Sequence, residues 1–242
     1  MRKTLIEFLS KIRDFLKEKF KAYDNKLPYI IIAIIALIIV VSSINLFIEL
    51  TDTLKTDMLA KMDDKITDFI ISFRTPARTD FFIFMTEVGD IYGYLIVLAI
   101  YFLVSRLIFK RWKYVLVSTL VLILASGSNL MLKRFINRAR PGIEHMVSVE
   151  TLSYPSGHAM SAMAFYGFLI YLCTRFRINK FIKTGLIALL VFMILSIGIS
   201  RIYLGVHFPS DIAGGYIAGL IWVFFCILIF NLLEIFRSDP QT

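Results

Sequence analysis

The stretch Tyr29–Leu50, YIIIAIIALIIVVSSINLFIEL, runs for 22 residues with one charge, Glu49, near its end. At 1.5 Å of rise per residue such a helix is about 33 Å long, and the hydrocarbon core of a bilayer is about 30 Å thick. Five further apolar runs follow, within Phe81–Phe109 and at about Tyr114–Met131, His158–Leu172, Ile182–Ile199 and Ile212–Leu233. Composition agrees with that pattern. Of the 242 residues, 58% are hydrophobic and 19% are charged, and the mean hydropathy is +0.75. Soluble domains carry about 45–50% apolar residues with glycine counted and about 25% charged. A single soluble core cannot hide the excess, and a disordered chain lacks so much Ile, Leu, Phe and Val. The expected fold class is all-α: a polytopic membrane protein, built as a six-transmembrane-helix bundle with an N-terminal amphipathic helix.

The chain divides accordingly. Residues 1–27 carry charge throughout and no cleavable apolar segment, so they read as no signal peptide. Leu5, Phe8, Leu9, Ile12, Phe15, Leu16 and Phe20 recur at helical spacing among lysines, which predicts a cytoplasmic interfacial helix. Residues 28–236 form the six-span domain, with its core at 81–233, and 237–242 are a tail. Residues 51–80 hold too many charges to span, which predicts an interfacial helix and loop. Within Phe81–Phe109, Glu87 and Asp90 make the start of the second span ambiguous, because a carboxylate is costly deep in hydrocarbon.

The net charge of +9 does not indicate nucleic acid, because the cations lie between apolar runs. Alternate connecting segments carry 17 and 10 Lys and Arg. The positive-inside rule puts the richer set in the cytoplasm. That places both termini inside and segments 51–80, 133–156 and 201–211 outside. Cys173 and Cys226 both lie in apolar runs and imply neither a disulfide nor a metal framework.

Two outer segments hold most of the reactive side chains near the membrane: Lys133, Arg140, Ser156 and His158, then Arg201, His207 and Asp211. Ionisable groups at the edge of hydrocarbon are functional candidates. Lys133 and Arg140 are seven apart, nearly two helical turns, and Pro141 is expected to end their helix. Pro155-Ser156-Gly157-His158 precedes an apolar run. It reads as a helix start whose free N–H groups, with Gly157 allowing close approach, make an anion site; taken alone it is also an ordinary helix start. Pro209 is expected to open the last helix, with His207 just outside and Asp211 in the first turn. There Asp211 caps the helix or accepts the Nδ1–H of His207, leaving Nε2 as a nucleophile. The three cations Lys133, Arg140 and Arg201 suit a phosphoryl group. With three histidines in the chain and His145 isolated in a loop, zinc is disfavoured, and no metal or other cofactor is expected.

Lys133-x6-Arg140-Pro141, Pro155-Ser156-Gly157-His158 and Ser200-Arg201-x3-Gly205-x-His207-x3-Asp211 together resemble the tripartite signature of the type-2 phosphatidic acid phosphatase family. The resemblance covers Phe81–Leu233, and the spans separate the chain from the family's soluble haloperoxidases. It implies that His207 attacks phosphorus to form a phosphohistidine, that Asp211 orients His207, and that His158 protonates the leaving oxygen. It further implies that Lys133, Arg140, Ser156, Gly157 and Arg201 bind the phosphoryl oxygens without a metal. The implied activity is hydrolysis of lipid phosphates or pyrophosphates (undecaprenyl pyrophosphate, phosphatidylglycerol phosphate, phosphatidic acid) at the outer face, and the implied location is the cell (inner) membrane. The alternatives are phosphoryl transfer between lipids and, from another class, an anion transporter. The expected partners are a membrane lipid substrate and the bilayer, with no nucleic acid; the sequence is silent on oligomeric state. Arg134 and Arg138 add cations beyond the need of one monoester, which predicts a second anionic group on the substrate. The segment Gly142–Tyr154 matches none of the signature and is expected to touch the rest of the substrate.

Overall fold

The computed structural model describes residues 10–11, 27–109, 113–149, 151–176 and 178–237. Among them there is no β-strand, in keeping with the all-α class. The amphipathic helix expected over 1–27 lies almost wholly outside the described residues. The helices are α1 (Leu27–Thr53), α2 (Asp57–Ile71), α3 (Pro76–Val88), α4 (Ile91–Val104), α5 (Lys113–Ile136), α6 (Gly157–Arg175), α7 (Lys180–Tyr203) and α8 (Pro209–Arg237). A π-helical turn, Ser105–Phe109, extends α4. Two compact units divide the chain, one of residues 40–223 and the other of residues 1–39 with 224–242. Every residue of the site described below belongs to the first.

Among the described residues four helices are long and apolar enough to cross a membrane: Leu27–Thr53, Tyr114–Ile136, Lys180–Tyr203 and Pro209–Leu232. The expected second span is a broken pair, Pro76–Val88 and Ile91–Leu107, bent by 65°. It counts as a fifth if the pair is one span. The break has a local cause. Gly89 ends α3, and the Asp90 carboxylate accepts the Ile91 N–H at 2.8 Å, capping α4. Helix α6 is not among the four. It packs between α5 and α7 and buries ten residues, and an interior helix tolerates the Gly157, His158 and Ser161 that lower its apolarity.

The 51–80 segment contains a true amphipathic helix. Thr56 caps α2 by accepting the Leu59 N–H. Met58, Met62, Ile66 and Phe69 are exposed along one side, while Asp63 and Thr67, one turn apart, are buried on the other. Helices α2 and α3 both pack on α7. The first α5 expectation needs correction. The helix ends at Ile136, and Asn137 takes a left-handed φ of 50°, a conformation Asn tolerates better than most residues. The helix therefore stops four residues short of Arg140, where Pro141 would have ended it, and Arg138 and Arg140 stand on a loop.

Candidate active site

His207 sits on the short connection between α7 and α8. The chain folds back there because Gly205 has φ +80°, and a Cβ at Gly205 would meet the Glu144 carbonyl oxygen at 2.6 Å. The N–H groups of Val206 and His207 both return to the Arg201 carbonyl. Pro209 opens α8 as the sequence predicts, and Asp211 lies in its first turn. His207 is 1% exposed and Asp211 is fully buried. The Asp211 Oδ2 lies 3.3 Å from His207 Nδ1 and accepts from the Phe208 N–H at 2.8 Å and from Ser153 Oγ at 2.5 Å.

The other imidazole nitrogen, Nε2, lies 3.3 Å from Arg140 Nη1. A guanidinium has no lone pair to offer, so Nε2 is the acceptor of this contact and Nδ1 carries the proton toward Asp211. That is the tautomer a nucleophilic Nε2 requires. Burial pushes the imidazole down to about 3 against the pull of Asp211, and the Arg140 and Arg201 charges act with burial. His207 is therefore neutral at pH 7.

Of the three expected cations, Arg140 and Arg201 act on His207, and Lys133 joins Arg140 through Thr151. Arg140 donates from Nη1 to the Val206 carbonyl at 2.6 Å and from Nε to the Thr151 carbonyl at 2.6 Å. Lys133 Nζ donates to Thr151 Oγ1 at 2.8 Å. Arg201 donates from Nη1 to Thr86 Oγ1, and its buried Nε has no hydrogen-bond partner. A buried guanidinium N–H without an acceptor costs stability, and an oxyanion would relieve it.

Ser156 is the N-cap of α6, not a residue of its first turn. Its Oγ accepts the Ala159 N–H, and its own N–H donates to the Asp211 carbonyl at 3.0 Å, tying α6 to α8. Pro155 consequently stands outside the helix. Gly157 and His158 occupy the first two helical positions, whose N–H groups have no intrahelical partner. His158 and Gly157 also line a cavity of about 570 Å³ between α4, α5 and α6, walled by Leu95, Leu98, Leu122 and Ile123. Gly89 makes room for this histidine, since a Cβ there would come within 3.2 Å of His158 Cδ2. Among the described residues no three His, Cys, Asp or Glu side chains gather where they could hold a metal ion.

The sequence missed several members. Thr151 and Ser153 lie in the unassigned Gly142–Tyr154 gap, yet they bind Lys133, Arg140 and Asp211. Thr86 holds Arg201 from α3. Arg138, expected as surplus charge for the substrate, is already engaged. Its Nη1 donates to Asp211 Oδ1 at 2.6 Å and its Nη2 to Asp63 Oδ2 at 2.9 Å. The expectation of a second anionic group on the substrate loses that support.

The PAP2 superfamily profile matches residues 111–234. The chain is similar to phosphatidylglycerophosphatase B of Bacillus subtilis, 29% identical over 190 residues, spanning 74% of this chain and 88% of that one. It is also 30% identical over 99 residues to the lipid A 1-phosphatase of Rhizobium etli, covering 37% of this chain and 38% of that protein. Among solved structures, the transmembrane PAP2-type phosphatidylglycerolphosphate phosphatase of B. subtilis superposes with a TM-score of 0.73 at 26% identity, over 84% of this chain and 98% of that one. The LpxE structure of Aquifex aeolicus gives 0.54 at 26% identity, over 70% and 93%.

Proposed function

The chain belongs to the PAP2 superfamily and is a multi-pass membrane protein, and on that premise we propose that it hydrolyses lipid phosphates through a phosphohistidine at His207. The observation that carries this reading is the neutral His207, with Nδ1 turned to Asp211 and Nε2 turned to Arg140, and with Arg201 acting on the same ring.

In the proposed reaction the phosphoryl oxygens take the donors of Lys133, Arg140 and Arg201 together with the N–H groups and hydroxyl of the Ser156–His158 turn. Arg140 exchanges its contact with Nε2 for one with the phosphoryl group, which frees the lone pair. Nε2 attacks phosphorus and the bond from phosphorus to the lipid oxygen breaks. The leaving oxygen takes its electron pair and a proton from His158. Asp211 balances the positive imidazole this creates. Water then attacks the phosphohistidine and gives its proton to the now neutral His158. The P–N bond breaks, Nε2 recovers its lone pair, and inorganic phosphate leaves. Phosphoryl transfer rests mainly on positioning and charge stabilisation, and here guanidinium and ammonium groups supply the charge that a divalent ion supplies elsewhere. The proposed mechanism therefore needs no metal.

The substrate is proposed to be a lipid phosphate such as phosphatidylglycerol phosphate, the compound named for the B. subtilis relative with which the chain aligns over 88% of that protein's length. The apolar cavity beside His158 suits the hydrocarbon tails of such a lipid. We further propose six crossings, with α6 as the buried central one, and a site facing outward from the cell membrane, because the Lys- and Arg-rich connections lie on the other side. The deciding experiment is release of inorganic phosphate from phosphatidylglycerol phosphate by the purified chain in mixed micelles, with His207→Ala as the control. Release that survives in the variant sinks the phosphohistidine. No release by the unaltered chain from any lipid phosphate sinks the function.

A further inference from the structure

Asp63 belongs to the amphipathic helix α2, outside the region matched by the family profile, yet its carboxylate is 2% exposed. Burying a carboxylate is costly unless it is paired. Asp63 is paired threefold: Oδ1 accepts the Ser210 N–H at 2.9 Å, while Oδ2 accepts Ser210 Oγ at 2.5 Å and Arg138 Nη2 at 2.9 Å. The far side of the same guanidinium holds Asp211 Oδ1 at 2.6 Å and Ser210 Oγ at 2.7 Å, and its plane lies over the Phe208 ring at 4.4 Å.

We propose that Asp63 is a positioning residue for the reaction, which by dividing Arg138 between two carboxylates leaves Asp211 Oδ2 free to hold His207. The reasoning is geometric. A guanidinium is a rigid planar fork that takes a carboxylate through two parallel hydrogen bonds whenever it is free to do so. Arg138 gives Asp211 only one nitrogen because Asp63 holds the other. Without Asp63, Arg138 turns both nitrogens onto Asp211 and draws Oδ2 away from Nδ1, from Ser153 and from the Phe208 N–H. The nucleophile then loses its orientation and its fixed tautomer. The anchor also fixes the first turn of α8 through the Ser210 N–H, so helix and carboxylate are set together.

This inference rests on the proposed phosphatase reading. Asp63→Asn in the full chain keeps an acceptor for Ser210 and removes the charge that holds Arg138. The expected result is a fall of about 10²-fold in kcat on phosphatidylglycerol phosphate, the scale of a small misplacement, with KM unchanged within about twofold. Asp63→Asn added to Arg138→Gln should cause no loss beyond Arg138→Gln alone, because both act on one link. If Asp63→Asn does not fold, Asp63→Glu replaces it. That variant keeps the charge but displaces it, with an expected loss of about tenfold in kcat. ¹⁵N-histidine NMR provides a readout independent of activity: His207 holds one tautomer, protonated at Nδ1, in the parent chain and a mixture in the variant. Unchanged kcat with an unchanged tautomer, a loss confined to KM, or independent multiplication of the two losses would each overturn the proposal. If the parent chain releases no phosphate, the phosphatase reading falls, while the tautomer comparison still decides on Asp63.

Discussion

Replacing Asp211 by Asn tests the centre of the mechanism with almost no change of shape. The carboxylate meets Arg138, Ser153, the Phe208 N–H and His207, and so is an acceptor on every side. An amide offers one oxygen and one NH₂. If the oxygen stays with Arg138, the NH₂ faces the donors of Ser153 and Phe208, and His207 can meet it only by giving up the Nδ1 proton. The proton then sits on Nε2, the atom that must attack. Each hydrogen bond to a charged partner is worth about 1.5–3 kcal/mol. One is lost where it matters for reaction, the His207–Asp211 bond that both fixes the tautomer and balances the imidazole as it becomes positive. Its loss raises the barrier by about 1.5–3 kcal/mol, or about 10–100-fold in kcat at about 1.36 kcal/mol per decade. The fold should lose about 1–3 kcal/mol, with Arg138 still holding Asp63. The assay is phosphate release from a lipid phosphate in mixed micelles, with kcat and KM resolved and a thermal midpoint taken alongside. A loss below tenfold, or one carried by KM alone, refutes the assignment of Asp211 as the group that orients His207.

Four further outcomes are expected. EDTA should leave kcat unchanged and vanadate should inhibit; activity lost in EDTA and restored by Mg²⁺ contradicts the cation cage. His158→Ala should damage turnover of alkyl phosphates far more than of an aryl phosphate, whose leaving group needs no proton, and equal damage removes His158 as the acid. His207 has its folded value pushed down to about 3 from an ordinary 6.5, so below about pH 6.5 the unfolded chain takes up a proton that the folded site refuses. This group costs nothing above that pH and removes stability as pH falls toward 3, with a slope of up to about 1.36 kcal/mol per pH unit; thermal midpoints against pH should fall less steeply in His207→Gln, and parallel curves would rule the effect out. For topology, in a background without Cys173 and Cys226, Glu144→Cys should react with an impermeant thiol reagent outside intact cells and Lys180→Cys should not; the opposite pattern inverts the proposed orientation.

The chemistry was legible wherever it is written locally. His207 and Asp211 are four residues apart, with Pro209 between them at one helix start, so their spacing carries their geometry. The same holds for the Ser156–His158 turn, although Pro155 proved to precede the cap rather than open the helix. Lys133 and Arg140 meet at Thr151, but they share no helix, because Asn137 leaves the helical region before Pro141 is reached. A left-handed Asn after an apolar run is a known ending, and that signal was present. The broken second span was foreshadowed by Glu87 and Asp90. Asp63, Thr86 and Ser153 were out of reach, since Asp63 meets Ser210 across 147 residues and Thr86 meets Arg201 across 115. No periodicity connects positions so far apart. A buried Asp on an amphipathic helix looks in sequence like any solvated charge.

The cavity beside His158 has a consequence for how the enzyme could diversify. Its walls, Leu95, Leu98, Leu122 and Ile123, stand on α4 and α5, whereas His207 and Asp211 stand at the junction of α7 and α8. On the proposed reading, a larger or smaller residue there alters a measuring rod for the lipid's hydrocarbon while His207 and Asp211 stay on other elements, and of the proposed acid and nucleophile only His158 lines the same space.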